Sequence, residues 1–418
     1  MTGRGIVRVP GDKSISHRAL IFGALATGQS QISGILESAD VQSTAQVLRS
    51  LGVSIPDISP SFSFSGRGLR GLRQPGSPLD CGNSGTTVRL MSGVVAGHPF
   101  SARFEGDASL SRRPMKRIAD PLTQMGARFE FARGDGLPMT IHGGRLSGIA
   151  WNTKAASAQT KSAILLAGLV GGVQVSVIEL FKSRDHTERM LTSLGAPVET
   201  DDTRVSLSPV DSIAPVDITV PGDPSSAAYM IAFAVLGGIG MVELPEVCVN
   251  KTRIGFIEAM IRMGARIEYK NRKAVAGDTS ATIIARTSKL RDMKIESSDI
   301  PAMIDELPLL ACVAAAAGVS LEVSGAAELR VKESDRIAVV VRNLRSIGVS
   351  ASELPDGFRV DGARARLSGR IATENDHRMA MAFGVLGALH GNAIDMDNPD
   401  CVRVSYPHFW DDLERLRA

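Results

Sequence analysis

Aromatic side chains are scarce in this chain of 418 residues, at 4% of the sequence. Because single-stranded nucleic acids are bound largely by stacking bases on aromatic rings, this scarcity argues against a nucleic-acid platform. An excess of charge of one sign is also missing, since 47 Lys and Arg stand against 44 Asp and Glu, a formal net charge of +3. Any affinity for anions must therefore be local rather than spread over the whole surface.

Cysteines are few and widely spaced. Cys81, Cys248, Cys312 and Cys401 form no C-x-x-C pair and have no His at zinc-ligand spacing, which favours a reduced, cytoplasmic and metal-free protein. Long apolar runs are absent too, because the apolar stretches are short or interrupted by Gly or Pro. We therefore predict neither a secretion signal nor a membrane span.

The composition that is present is that of a folded globular protein. Hydrophobic residues make up 44% of the sequence and charged residues 22%, far from the composition of disordered chains. The length is enough for two or three domains, each with its own core.

A repeated unit of roughly 70 residues organises the chain. Each unit has a small-residue apolar run, predicted to be a helix, which ends at a glycine and is followed by a strand-like alternating stretch. The six glycines are Gly28, Gly97, Gly171, Gly237, Gly318 and Gly391. In the first five units a second helix is predicted to end at a glycine with left-handed backbone, namely Gly52, Gly126, Gly195, Gly264 and Gly348. The chain ends in a further predicted helix over residues 409–416.

The repeats predict two lobes of three units each. Nearly identical Val-Pro-Gly-Asp segments stand at 9–12 and 220–223, at the starts of units one and four, and are typical of crossings between lobes. The Ser-, Gly- and Pro-rich residues 56–78 are predicted to form a hairpin with surface turns.

Polar and basic residues open several of the first helices. Free backbone N–H groups and the helix dipole favour an anion there, and a neighbouring Lys or Arg adds charge. For any one helix, an ordinary N-cap beside solvated cations is the simpler interpretation, but the recurrence favours anion sites. The residues concerned are Lys13, Ser14, Ser16 and Arg18; Asn83, Ser84, Thr86 and Arg89; Ser157, Gln159 and Lys161; and Asp376, His377 and Arg378.

Further cations occur in the loops, where some alternate with carboxylates. This mixture suggests proton transfer as well as anion binding, and Asp305, before an apolar helix, is either a helix cap or a candidate base. The loop cations are Arg112, Arg113, Lys116, Arg117, Arg184, Arg189, Lys332 and Arg336.

Six strings give the chain a family resemblance. It resembles the 3-phosphoshikimate 1-carboxyvinyltransferase (EPSP synthase) family, its second class in particular, over nearly the whole chain and in the family's order. The strings are residues 10–19, 82–90, 113–117, 183–188, 332–336 and 376–380.

This resemblance implies a two-lobed inside-out α/β barrel of six βαβαββ-type units. One lobe would comprise residues 12–223 and the other residues 1–11 and 224–418, with crossings near 10–13 and 220–224. The implied reaction transfers the enolpyruvyl group of phosphoenolpyruvate to the 5-hydroxyl of shikimate 3-phosphate in aromatic amino acid biosynthesis. It implies no cofactor or metal, and we expect a cytoplasmic monomer with these two small molecules as partners and no nucleic acid or membrane.

The resemblance also implies roles for individual residues. Asp305 would take the proton of the 5-hydroxyl, while Glu333 and Lys13 are candidates for proton exchange at the phosphoenolpyruvate methylene. The inhibitor glyphosate would bind at the phosphoenolpyruvate site beside Gly85. Implied for shikimate 3-phosphate are Lys13, Ser14, Arg18, Ser157, Ala158, Gln159, Arg184, Asp305 and Lys332. Implied for phosphoenolpyruvate are Lys13, Gly85, Arg113, Gln159, Arg336 and Arg378.

The chain departs from the family pattern at two places. Glu328 stands where some members have Asn, and residues 401–407 lack a phosphate-binding Lys that the family can have there. Arg403 is one position away, where strand alternation would turn it to the opposite face, so no role is assigned to it.

The sequence leaves two alternatives open. One is the related enolpyruvyl transferase that acts on UDP-N-acetylglucosamine, although its mobile loop carries a cysteine and this chain has none between Cys81 and Cys248. The other is a non-catalytic anion-binding repeat protein, which would need outward basic stripes and more aromatic residues.

Overall fold

Helices and strands alternate along the chain in the computed structural model, which describes residues 3–154, 156–362 and 366–417. The α-helices are α1 (Lys13–Leu25), α2 (Ala39–Ser50), α3 (Gly85–Ala96), α4 (Ala108–Ser111), α5 (Lys116–Met125), α6 (Ala158–Gly171), α7 (His186–Ser193), α8 (Pro224–Val235), α9 (Gly255–Arg262), α10 (Leu307–Ala317), α11 (Arg336–Ser346), α12 (His377–Ala388) and α13 (Phe409–Arg417). Short 3₁₀ helices are Ile300–Ala302, Ile304–Glu306, Ala327–Val331 and Pro399–Val404. Among the described helices, none combines the length and the apolar character that crossing a membrane requires.

The strands are short and lie mostly between these helices. They are β1 (Arg4–Ile6), β2 (Gln29–Ser33), β3 (Ser61–Ser65), β4 (Leu79–Asp80), β5 (Ser101–Glu105), β6 (Arg128–Phe131), β7 (Met139–His142), β8 (Ile149–Asn152), β9 (Val175–Ile178), β10 (Val198–Asp201), β11 (Arg204–Leu207), β12 (Asp217–Thr219), β13 (Met241–Cys248), β14 (Arg266–Val275), β15 (Asp278–Arg286), β16 (Met293–Ile295), β17 (Ser320–Val323), β18 (Ser350–Leu354), β19 (Gly357–Asp361), β20 (Ser368–Ile371) and β21 (Ala393–Met396).

Each predicted repeat has its own small sheet. Most sheets share one plan, in which a parallel pair such as β4 and β5, or β8 and β9, is extended by two further strands. The orders are β4-β5-β7-β6, β8-β9-β11-β10, β1-β13-β15-β14, β16-β17-β19-β18, β12-β2-β3 and β20-β21. A parallel pair needs a crossover connection, and in the second, third, fifth and sixth repeats the first helix forms it, namely α3, α6, α10 and α12.

Two of these sheets contain a strand from elsewhere in the chain. Strand β1 pairs in parallel with β13, and β12 pairs in parallel with β2. The sheet of the fourth repeat is therefore completed by the start of the chain, and the sheet of the first repeat by the segment just before the fourth. The start of the chain therefore belongs to the same compact unit as β13, and that unit is discontinuous.

Unit 1 comprises the described residues of Met1–Pro10, Pro221–Lys273 and Thr279–Ala418, and unit 2 those of Gly11–Val220 and Ala274–Asp278. The last of these segments lies between β14 and β15, and the repeat pattern contained no signal for its place in unit 2. There Asp278 Oδ2 lies 2.8 Å from His186 Nδ1, and both side chains are buried.

The first helix of each repeat is buried on nearly all sides. In α8 every residue is buried, and α1, α3, α6, α10 and α12 have only a few that are not. A helix that is apolar all round must be covered all round, and in each unit these helices cover one another. Helix α3 contacts α1 and α6 in unit 2, and α8, α10 and α12 contact one another in unit 1.

The second helices keep one face exposed and end as predicted. Gly52, Gly126, Gly195, Gly264 and Gly348, which follow α2, α5, α7, α9 and α11, all have positive φ. The predicted C-terminal helix is confirmed as α13. The hairpin predicted over residues 56–78 is wrong, because in that stretch only β3 forms and it pairs with β2. Prolines on both sides of β3 remove the amide donors that a second strand would need.

Helix α3 packs backbone to backbone against α6 at Gly93. A Cβ built on Gly93 would lie 2.1 Å from the carbonyl oxygen of Ala163, closer than side chains approach. Only glycine allows this approach, which sets the spacing of the two helices whose starts carry the candidate site.

We expect Gly93→Ala to lower the stability of unit 2 by about 1–3 kcal/mol, because forcing α3 away from α6 outweighs the gain in helix propensity of roughly 1 kcal/mol. Urea unfolding followed by circular dichroism measures the change. The control is Gly144→Ala, since a Cβ at Gly144 meets nothing within 4 Å. Equal unfolding midpoints for the two variants would contradict this packing argument.

Candidate active site

The first turn of α1 places a lysine beside a carboxylate. Asp12 caps the helix, because its Oδ1 accepts a hydrogen bond of 2.8 Å from the backbone N–H of Ile15. Lys13 follows at once, and its ammonium forms an ion pair with Asp40 in the first turn of α2. Asp40 is buried and Lys13 only partly so, which leaves the ammonium accessible to a second anion.

Arg18, one turn further along α1, is held by two hydroxyl groups. Its Nε donates to Thr187 Oγ1 at 2.7 Å and its Nη2 to Ser162 Oγ at 2.8 Å, while Nη1 donates to the carbonyl of Ser14 at 3.0 Å. These three hydrogen bonds hold the buried guanidinium of Arg18 in a set orientation.

A chain of buried polar groups links α1 to the start of α3. His17 Nδ1 lies 2.7 Å from Thr44 Oγ1, which lies 2.7 Å from Thr87 Oγ1, and Thr87 donates to Ser84 Oγ at 2.7 Å. Burial lowers the pKa of His17 to about 3, so the imidazole is neutral near pH 7. The folded-state pKa of His17 lies below the unfolded value of about 6.5, so the buried neutral imidazole is compatible with full folding stability above pH 6.5. As the pH falls from 6.5 toward 3, the unfolded state binds a proton that the folded state does not, and the free energy of unfolding decreases.

At the start of α3 two guanidinium groups lie over a glycine. Ser84 caps the helix, and Gly85 is its first residue. A Cβ on Gly85 would lie 2.9 Å from Arg89 Nη1 and 3.3 Å from Arg113 Nη1. Arg113 is buried and donates to Asn83 Oδ1 at 2.6 Å. Two arginines therefore converge on a glycine in the first turn of a helix, a position that favours an anion.

The start of α6 joins the same cluster through Gln159. Ser157 is the N-cap and accepts a hydrogen bond from the backbone N–H of Thr160 at 3.3 Å. Gln159 Oε1 accepts from Arg89 Nη1 at 2.8 Å, and its Nε2 donates to Thr86 Oγ1 at 3.1 Å. The starts of α3 and α6 are therefore connected side chain to side chain.

In unit 1, Arg336 is the centre of a second cluster. Its side chain is 1% exposed, with Nε 2.8 Å from Asp376 Oδ2, Nη1 3.1 Å from Asp305 Oδ1 and Nη2 2.7 Å from Glu333 Oε2. Burial opposes its charge, but the carboxylates of Asp376, Glu333 and Asp305 outweigh burial and raise the pKa of Arg336. Asp376 also caps α12, so it orients that helix start and the guanidinium together.

Asp305 lies among three cations of this cluster. Besides Arg336, Lys332 Nζ lies 3.9 Å from its Oδ1 and Arg378 Nη2 lies 4.0 Å from its Oδ2. Burial lowers the pKa of Lys332, against the opposing effect of Asp305. Arg378 is also 3.3 Å from Glu306 through Nη1. A carboxylate here can accept a proton while the cations hold anionic groups.

The structure groups the predicted residues within each unit. Unit 2 holds Lys13, Ser14, Arg18, Gly85, Arg113, Ser157, Ala158, Gln159 and Arg184, and unit 1 holds Asp305, Lys332, Glu333, Arg336 and Arg378. Arg184 lies half-buried in the loop before α7. Two cations of the Arg113 loop, Arg112 and Lys116, are exposed.

Sequence reasoning missed Asp40, which lies in the first turn of α2 and pairs with Lys13. It named Asp376 at a helix start but not as the partner of Arg336, and a search for carboxylates in first turns would have been the available signal for both pairs. The strand predicted around Arg403 is wrong: the residue lies in a 3₁₀ helix, is exposed, and its Nε is 3.6 Å from Asp400 Oδ1. Pro399 and the exposed polar residues after it favour that turn.

Across the described residues, no group of three or more His, Cys, Asp or Glu side chains has the geometry to hold a metal ion.

Comparison with known proteins identifies the family of this chain. A model of the family described as EPSP synthase (3-phosphoshikimate 1-carboxyvinyltransferase) matches residues 2–413. The chain belongs to the EPSP synthase family. Relatives named 3-phosphoshikimate 1-carboxyvinyltransferase from Sulfurihydrogenibium sp. (strain YO3AOP1) and Aquifex aeolicus (strain VF5) are 46% and 42% identical to it, over 99% of this chain and 97% of each relative.

Solved structures of EPSP synthase-like proteins confirm the fold class. EPSP synthase from Acinetobacter baumannii has a TM-score of 0.87 at 39% identity, covering 99% of this chain and 96% of that one. The enolpyruvyl transferase NikO from Streptomyces tendae has a TM-score of 0.77 at 17% identity, covering 99% and 94%, and shows the shared fold alone. The predicted two-lobed enolpyruvyl transferase-like α/β fold is confirmed, and neither alternative left open by the sequence is favoured.

We expect Asp376→Ala to destabilise unit 1 by about 3–5 kcal/mol, because it leaves a buried guanidinium without its fully buried carboxylate partner and α12 without its cap. Denaturant unfolding monitored by tryptophan fluorescence measures the loss. Asp395→Ala is the matched control, since Asp395 is 76% exposed and only 3.7 Å from an equally exposed Arg370. A loss below about 1 kcal/mol, the range of surface pairs, would show that Asp376 does not stabilise the cluster.

Proposed function

We propose that this chain is a transferase that moves the enolpyruvyl group of phosphoenolpyruvate to the 5-hydroxyl of shikimate 3-phosphate, giving 5-enolpyruvylshikimate 3-phosphate and phosphate. Family membership supports the proposal, and one structural observation carries it. Asp305 is a partly buried carboxylate with three cationic side chains within 4.0 Å. A base surrounded by cations suits a reaction between two anionic substrates, one of which must lose a hydroxyl proton.

Shikimate 3-phosphate carries a phosphate and a carboxylate, and both need fixed donors. In this proposal the N-cap of α6 and Arg18, which is oriented by the hydroxyls of Thr187 and Ser162, supply them, because helix N-termini and guanidinium groups both bind oxyanions. The residues proposed to bind it are Lys13, Ser14, Arg18, Ser157, Ala158, Gln159, Arg184, Asp305 and Lys332.

Phosphoenolpyruvate is smaller and equally charged. The space over Gly85, beneath the guanidinium of Arg113, suits one of its anionic groups, since helix N–H groups and a bidentate donor meet there. The residues proposed to bind it are Lys13, Gly85, Arg113, Gln159, Arg336 and Arg378.

The chemistry is an addition followed by an elimination. Asp305 takes the proton of the 5-hydroxyl while the hydroxyl oxygen bonds to C2 of phosphoenolpyruvate. An acid, Glu333 or Lys13, protonates C3. The resulting tetrahedral ketal then loses a proton from C3 and expels phosphate, which restores the double bond. All bonding electron pairs stay on the two substrates and only protons are exchanged with the enzyme, so the proposed reaction needs no cofactor. A cytoplasmic monomer acting on these two small molecules stays a prediction.

Phosphate release tests the proposal directly. The enzyme is incubated with both substrates and with each omitted in turn, and phosphate is measured continuously. We expect release only with both substrates. Release from phosphoenolpyruvate alone, or none with both, would contradict the proposed function.

We expect Asp305→Asn to keep shikimate 3-phosphate affinity within about threefold and to lower kcat by at least about 100-fold, because an amide preserves the shape of the side chain but cannot accept the proton. Calorimetric titration and steady-state kinetics separate the two effects. The control is Asp292→Asn at an exposed carboxylate that accepts from the backbone N–H of Ser320. Near wild-type turnover in Asp305→Asn would make Glu333 the next candidate base.

We expect the wild-type enzyme to be inhibited by glyphosate, and Gly85→Ala to raise the inhibition constant by a larger factor than the KM for phosphoenolpyruvate. The new methyl would lie 2.9 Å from the far end of the flexible Arg89 side chain, so the protein folds but the space over the helix start shrinks. A longer ligand loses more in that space than a shorter one, by about tenfold or more. Inhibition kinetics of the wild-type and Gly85→Ala enzymes, with Gly144→Ala as control, measure the two constants. Equal factors for the inhibition constant and the KM would contradict the prediction.

A further inference from the structure

Unit 2 contains a buried ion triad for which the proposed reaction has no use. Lys161 Nζ lies 2.7 Å from Glu179 Oε2 and 2.7 Å from Glu188 Oε1. The three side chains are 2%, 2% and 5% exposed. Burial opposes the charge of the ammonium, but Glu188 and Glu179 outweigh it and raise the pKa of Lys161, so the lysine is charged at neutral pH.

One ammonium faces two carboxylates in this triad. Further hydroxyl and amide donors bind only one of the two, Glu179. Ser183 donates to Glu179 through both its hydroxyl and its backbone N–H. Within the described residues, Glu188 Oε2 is buried and has no hydrogen-bond partner. Buried ion groups of this kind contribute little net stability compared with apolar residues of the same size. A contribution to stability therefore does not explain why the chain buries this triad.

The triad joins the start of α6, the loop that bears Arg184 and the start of α7, so it links two of the segments that carry the residues proposed for shikimate 3-phosphate in unit 2. Lys161 is in the first turn of α6, where its backbone N–H donates to the carbonyl of Ser157 at 3.1 Å. Ser183, held by Glu179, immediately precedes Arg184 in the loop. Glu188 follows Thr187, the residue whose hydroxyl accepts from Arg18 Nε.

Apolar burial does not hold this loop. Ile178, Leu180 and Phe181, which flank Glu179, are 41%, 65% and 37% exposed. A segment whose large apolar side chains face solvent gains little from the hydrophobic effect. The buried carboxylate of Glu179 is therefore its anchor to α6.

We propose that Lys161 is a positioning residue, which pins the loop bearing Arg184 and the start of α7 to the start of α6 and so sets the binding geometry for shikimate 3-phosphate. This inference rests on the proposed function. Lys161 itself contacts carboxylates and not the reacting atoms, so its effect is on the substrate held by its neighbours and not on phosphoenolpyruvate at the start of α3.

The test is Lys161→Met, which keeps the length of the side chain and removes its charge. We expect the KM and the calorimetric dissociation constant for shikimate 3-phosphate to rise by about tenfold or more, with the KM for phosphoenolpyruvate within about threefold of wild type. Lys182→Gln removes a charge from the same loop at an exposed position and is expected to leave both constants unchanged. A purely structural role would lower the melting temperature but leave the two KM values of the folded enzyme alone.

The pH profile gives a second readout. Without the ammonium, two buried carboxylates face each other, which raises their pKa values, so a proton can take the place of the lysine at low pH. Affinity of Lys161→Met for shikimate 3-phosphate should therefore improve as the pH falls from about 8 to about 6, relative to wild type. In Lys161→Met/Glu188→Gln the repulsion is absent, and the profile should again run parallel to wild type.

The outcomes separate the two claims. Absence of phosphate release by the wild-type enzyme would count against the proposed function. The positioning role alone would be overturned if the wild-type enzyme is active but Lys161→Met raises the KM values for both substrates equally. It would also be overturned if Lys161→Met shows no pH dependence beyond that of the wild type. If Lys161→Met does not fold, Glu179→Gln is decisive: an amide cannot accept from Lys161 and Ser183 as the carboxylate does, and an unchanged KM for shikimate 3-phosphate would overturn the inference.

Discussion

The rest of the structure depends on placing positive charge at the ends of buried helices. Arg18, Arg336 and Arg378 are nearly or fully inside the protein, where an isolated charge is very costly. Arg18 is held by hydroxyls and a carbonyl, whereas Arg336 is held by three carboxylates. Both kinds of support fix the orientation of a buried guanidinium. Carboxylate pairing occurs in both units, since Lys13 and Lys161 of unit 2 are also paired with carboxylates.

The buried helices determine where those charges can be. Because α3 and α6 approach each other closely at Gly93, their starts lie near enough for Gln159 to contact both Arg89 and Thr86. Neighbouring helices cover most of each buried helix, and in α1, α3 and α6 the first turn keeps partly exposed residues that can meet solvent or substrate. A fold with apolar helices at the centre of each unit thus concentrates chemistry at helix ends, whatever the reaction.

Exchange of a strand between repeats explains why unit 1 is discontinuous, whereas unit 2 is discontinuous because it includes Ala274–Asp278. Strand β1 completes the sheet of β13, and β12 completes the sheet of β2, so the Pro-Gly-Asp segments at 10–12 and 221–223 stand where the chain passes from one unit to the other. Asp12 and Asp223 then cap the helices that follow. One short motif serves both as the crossing and as the start of a buried helix, which accounts for its near-identical repetition.

The sequence by itself determined the repeats, the buried first helices and the helix ends, because apolar periodicity and cap residues act over neighbouring positions of the chain. It also identified most cations of the candidate site through family-like strings. Only the tertiary structure decided their partners: Asp40 for Lys13, Asp376 for Arg336, and the triad of Lys161. Such pairs join residues far apart in the chain, and no local pattern specifies which buried carboxylate will meet which buried cation once the helices pack.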